Sequence, residues 1–197
     1  LSLDFNDTSV NLQTVFLLKS SRTIKPMQST TVQRSTLARG ARGAQVTELQ
    51  NLLLQRINFN LAVDGIFGEE TESVVKAFQF VVFLQQDGIV GPLTWAALNA
   101  NKPLNKPVLR RGTNSEDVRR VQDVLKFSGF RKEALNFDGY YFGALDGNFG
   151  PKTEAAVKSF QADTRFHSTA LTADGVVAET TWIALSNLAR QIIHIAL

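Results

Sequence analysis

Cysteine is missing from this 197-residue chain, and histidine and tyrosine occur only twice each. The first absence excludes disulfides, thiolate metal sites and a cysteine nucleophile, and it leaves the compartment open, because an envelope protein can lack cysteine as readily as a cytosolic one. The second bears on catalysis. A zinc hydrolase gathers histidines and carboxylates on its metal, and a serine triad needs a histidine beside a nucleophile elbow. His167 and His194 have no ligand-like spacing and no elbow is present, so neither a metal nor a cofactor is expected. Long apolar runs are absent too: "VFLL" at Val15 is soon followed by Lys19 and Arg22, far short of the roughly 20 residues of a membrane helix.

Charge of one sign is also scarce. The net +3 divides into +2 over residues 1–36, −2 over 37–100 and +3 over 101–197. Nucleic-acid binders concentrate basic charge on one face, and only the run Lys102, Lys106, Arg110, Arg111, Arg119, Arg120 hints at that. Its ordinary reading is a solvated linker and helix face. With 44% apolar and 20% charged residues the chain reads as folded rather than disordered.

What the sequence does contain is a duplication. "LARGARGAQVTELQNLL" from Leu37 is matched by "LRRGTNSEDVRRVQDVL" from Leu109. "VDGIFGEETESVVKAFQ" from Val63 is matched by "LDGNFGPKTEAAVKSFQ" from Leu145, and "DGIVGPLTWAAL" from Asp87 by "DGVVAETTWIAL" from Asp174. The offsets grow from 72 to 82 to 87, so the second copy is longer by 10 residues before its middle helix and by 5 after it. Such growth belongs in loops.

Each copy predicts three short helices, near 45–56, 69–84 and 92–100, then 115–128, 151–164 and 179–195. The stripes Val46, Leu49, Leu53 and Val118, Val121, Leu125 have the spacing of one buried face. Thr113 and Glu116 fit a capping box, and Pro151 and Pro92 fit first helical positions. Ala178 and Glu179 stand where the first copy has Gly91 and Pro92, which predicts a different entry into the last helix. That helix is lengthened by the tail stripe Leu185, Leu188, Ile192, Ile195. Pro103 and Pro107 stiffen the connection between the copies.

The ordered blocks RGxxGxxVxxLQxxL, DGxFGxxTxxxVxxFQ and DGxVGxxTWxxL resemble the bacterial peptidoglycan-binding domain, over about residues 37–100 and 107–189. The resemblance implies an all-α fold of two tandem three-helix modules, at 37–100 and 101–197, behind an N-terminal extension at 1–36. It implies noncatalytic binding of peptidoglycan, glycan strand and stem peptide, in the periplasm, at the wall or outside the cell, with a cell-wall hydrolase as a further partner. No enzyme activity is expected, since residues 1–36 leave too little chain for a hydrolase domain. The alternative is a protein-interaction or pro-segment-like module, with a basic nucleic-acid binder behind it.

Candidate ligand contacts follow from the motifs. Asp64, Asp87, Asp146 and Asp174 each precede a glycine, where an Asx turn is the ordinary use and ligand contact the functional one. Gln79 and Gln161, like Gln50 and Gln122, lie beside the core stripes, where an amide can tie a loop to a helix or meet a ligand. Arg39 and Arg111 offer forked donors to stem-peptide carboxylates, or cover a helix end. Phe67, Phe149 and Trp95 complete the motif aromatics. In "NFDGYYFGALDGNFG", Tyr141 aligns with Phe59, while Tyr140 stands opposite Asn58 and is either a sugar-stacking ring or a cover for the first helix.

Overall fold

Glycine at position 43, with φ 111°, turns the chain into the first helix, α1 (Ala44–Ile57), whose buried face is Val46, Leu49, Leu53 and Ile57. The computed structural model describes residues 34–127, 139–165, 167 and 170–196. The extension up to residue 33 and the loop "RKEALNFD" lie outside the described residues. Helix α2 (Glu69–Val81) carries three glutamates in its first turn, where acidic side chains favour the positive helix end, and it buries Val74, Val75, Phe78 and Val81. Helix α3 (Pro92–Ala100) starts on Pro92 and ends at a left-handed Asn101. The second copy repeats the plan with α4 (Glu116–Phe127), α5 (Pro151–Ala162) and α6 (Glu179–Ala196). No strand occurs among the described residues. Isolated bridges clamp each copy in the same way, Leu37 to Val90 and Arg42 to Ile66, then Leu109 to Val177 and Asn114 to Asn148. The chain is thus all-α, with the three-helix plan present twice.

Three local expectations need correction. The N-cap of α4 is Ser115, whose Oγ accepts the Val118 N–H at 3.2 Å. The Thr113 hydroxyl instead accepts the Arg110 N–H and closes the preceding turn. Helix α2 stops at Val81, short of 84, because Phe83 adopts a left-handed φ of 59° that drives its ring into the core. The entry into α6 matches that into α3: Trp182 N–H bonds Ala178 O at 2.9 Å as Trp95 N–H bonds Gly91 O at 3.0 Å. Gly91 has a negative φ and open space where a Cβ would sit, so alanine serves equally well there.

The two copies pack on each other, α6 lying against both α2 and α4. Phe83 of the first copy meets Trp182 of the second edge-on at 4.8 Å between ring centres. Lys106, in the connection, donates to Phe83 O and pairs with Asp117 at 2.9 Å. Arg190 of α6 reaches back to the carbonyl and side chain of Asn101, at 3.1 and 2.8 Å.

Candidate functional site

One polar lock occurs four times. In the first, the Gln50 Oε1 accepts the Gly65 N–H at 2.9 Å, and its Nε2 donates to Asp64 Oδ1 at 2.9 Å and to Ile66 O at 3.1 Å. Asp64 Oδ1 also accepts the Ile66 N–H, and Thr71 Oγ1 closes the ring of contacts from the next helix. Gln79, Asp87 and Thr94 make the same set, as do Gln122, Asp146 and Thr153, and Gln161, Asp174 and Thr181. All four glutamines and all four threonines are buried. The glycine after each aspartate is required: Gly88 has φ 74°, and a Cβ there would fall 2.8 Å from the Glu72 side chain. The Gln50 amide, then the Ile66 N–H, hold the Asp64 carboxyl below its ordinary range. The Asn148 N–H, then Gln122, do the same for Asp146.

These glutamines and aspartates therefore bind the chain to itself, each tying a helix to the turn that follows and to the helix after that. The aromatics go the same way. Phe67, Phe149 and Trp95 lie in the core. The Trp95 indole donates to Ser35 O at 3.0 Å beneath the Arg34 guanidinium, and Trp182 donates to Pro107 O at 2.8 Å beneath Lys106. The duplication thus begins at Arg34 and Lys106, earlier than the quoted blocks show.

Both tyrosines are core residues rather than a stacking platform. Tyr140 is only 8% exposed, packs edge-on against Phe160 and donates to Asp163 at 2.8 Å. Burial, then the bond to Asp163, push its pKa up. Tyr141 donates to Ala144 O at 2.6 Å. Arg39 and Arg111 remain at the surface, but each faces a carboxylate, Glu69 at 2.7 Å and Glu154 at 2.5 Å.

A groove remains in the first copy. Ile89, Gly91, Pro92 and Leu93 form one wall, Leu84 and Gln85 the other, and Gln79, Asp87 and Thr94 also line it; it encloses about 250 Å³. Leu93 is 61% exposed and Ile89 42%, so apolar side chains line an open surface. Of the motif residues singled out, the structure brings only Gln79 and Asp87 to this groove, leaving the others in the core or on separate surfaces. The equivalent positions in the second copy are Val176, Glu179 and Thr180, which replace Ile89, Pro92 and Leu93 with a more polar rim. No group of three His, Cys, Asp or Glu converges on a possible metal among the described residues, nor is any helix there long and apolar enough to cross a membrane.

A family model described as "Putative peptidoglycan binding domain" matches residues 42–98 and again residues 114–185. The chain is 32% identical over 193 residues to the N-acetylmuramoyl-L-alanine amidase CwlL of Bacillus licheniformis, covering 87% of this chain and 52% of the amidase. It is 27% identical over 161 residues to a probable N-acetylmuramoyl-L-alanine amidase of the same organism, covering 73% of this chain and 45% of that protein. The solved endolysin of Burkholderia AP3 phage is 33% identical, with a TM-score of 0.36, over 55% of this chain and 40% of the endolysin. The chain spans about half the length of the curated relatives it matches. The expectation of no enzyme activity is contradicted by these matches, because one of the two Bacillus relatives is an amidase and the other a probable amidase.

Proposed function

From the premise that this chain belongs to the peptidoglycan-binding domain family, we propose that its two repeats hold bacterial cell-wall peptidoglycan and bring a wall-cleaving activity of the amidase kind to its polymer. The observation that carries the reading is the double match, once per repeat, which spans most of the chain. Residues 37–100 and 101–197 are the two modules of this proposal, and its setting is the periplasm, the wall or the cell exterior.

The groove beside Leu93 supports the reading. Carbohydrate- and peptide-binding clefts combine apolar walls with a few fixed polar groups. Here the polar groups are held rigid by a lock that also fixes the turn bearing Ile89. Rigidity lowers the ordering cost of binding.

The test is adsorption of the purified chain to immobilised peptidoglycan, with cellulose as the control polymer. Selective retention on peptidoglycan is the expected result. Equal retention on both polymers, or none on peptidoglycan, overturns the reading.

A further inference from the structure

Leu84 and Gln85 line two hollows at once. One is the groove of the first copy; the other, of about 220 Å³, is bounded on its far side by Glu116, Arg119, Arg120 and Asp123 of α4 in the second copy. The shared ridge is pinned from both sides. Leu84 N–H bonds Gln79 O at 2.9 Å, and the neighbouring Phe83 lies under Trp182 of the second copy. Lys106 then links Phe83 O to Asp117 on α4, which holds the far wall in register with the ridge. The adjoining hollows exist together because the copies are docked, and together they reach the ~300–1,000 Å³ of an ordinary ligand site.

Their chemistry is graded. The first hollow presents Ile89, Pro92 and Leu93. The second presents charges, and within it Arg120 is occupied by Asp117 and Arg119 by Glu116. Asp123 differs: its carboxylate has no hydrogen-bond or ion-pair partner among the described residues, although it is partly buried. Burial raises its pKa, with Arg119 and Lys126 opposing. Neither cation closes to a direct ion pair with it, which leaves the half-buried carboxylate open to the cation of a ligand.

We propose that the two hollows form a single site for the stem peptide of peptidoglycan, with an apolar residue against Leu93 and the ammonium of a diamino acid on Asp123. The inference rests on the wall-binding reading above and narrows it. Neutral sugars of the glycan strand supply no cation for Asp123, whereas a stem peptide carries both an apolar methyl and an ammonium. The first copy alone lacks the charged half, and the second alone lacks the apolar half, so one composite site replaces two independent ones.

The experiment uses the full chain and three probes: a synthetic stem tetrapeptide with a free lysine ammonium, the same peptide with that amine acetylated, and chitotetraose. Calorimetric titration should show the free-amine peptide bound and weakened about tenfold by Asp123→Asn, the loss expected of one charge-assisted contact. The acetylated peptide should bind the unaltered protein weakly, with no further loss in Asp123→Asn. Leu93→Ala should weaken both peptides by about threefold or more, and Val108→Ala, an exposed apolar change elsewhere, should weaken neither. Peptide affinity indifferent to Asp123→Asn, or binding of chitotetraose in place of peptide, overturns the composite site while leaving wall binding in place. Failure of the unaltered chain to adsorb to whole peptidoglycan overturns the wall reading itself.

Discussion

Gln122 shows how a side chain that looks like a binding group serves the fold. Its amide, fully buried, joins Asp146, Asn148 O, Thr153 and the Gly147 N–H. Removing it by Gln122→Ala strands several buried polar groups, and urea denaturation should record a loss of about 3 kcal/mol. Arg39→Ala, at an exposed ion pair, should leave the midpoint essentially in place. Acid should act through the aspartates. The Asp163 carboxyl is held at about 2, first by the Arg165 guanidinium and then, against the cost of burial, by the Arg165 N–H and the Tyr140 hydroxyl, where its ordinary value is 3.8. A depressed carboxylate contributes stability above its unfolded value and loses it as pH falls through its folded one. Stability should therefore drop between about pH 4 and pH 2, and Asp163→Asn should flatten that slope in acid-dependent denaturation. The four glutamines and four aspartates were visible in the sequence as candidates. Their pairing was not, because the separations run from 8 residues for Gln79 and Asp87 to 24 for Gln122 and Asp146, a variable loop that no fixed spacing captures. Tyr140 was undecided for the same reason: Phe160 and Asp163, which bury and bond it, lie on a distant stretch of chain.

Helices were the most legible elements, since apolar stripes and the proline at the first position of α3 and α5 are local signals. Their ends were less so. At α4 two hydroxyl residues compete for the cap, and the Arg110–Thr113 turn takes Thr113 out of contention, leaving Ser115. Ser115→Ala should accordingly cost about 1 kcal/mol in thermal or urea unfolding, the usual worth of an N-cap. The end of α2 is set from outside the helix. Phe83 turns into a left-handed conformation to reach Trp182, a partner 99 residues away in sequence, so helical spacing overran the true boundary.

The whole molecule couples its copies through that pair. The sequence displayed the duplication and the stiffened connection, but repeated blocks carry no record of which faces meet. The contact of α2 with α6 depends on Phe83, Trp182 and Lys106, all outside the repeated stripes or doubling as core residues. Phe83→Ala should cost about 3–5 kcal/mol and lower the melting of the copies, which calorimetry of the intact chain should show as a broadened or split transition in place of one. The groove was hidden for a related reason: its second wall, Leu84 and Gln85, is positioned by the same inter-copy contact.

The central claim is that this chain holds peptidoglycan, and co-sedimentation with purified, insoluble peptidoglycan tests it most directly. The groove walls are apolar and the Asp123 contact is half-buried, so the chain should pellet with the polymer to saturation, and binding should persist, weakened by no more than about tenfold, between about 0.05 and 0.5 M salt, over which exposed charge interactions are screened. A chain that stays in the supernatant, or that pellets at low salt and is released at high salt as a nonspecific cation would be, contradicts the account.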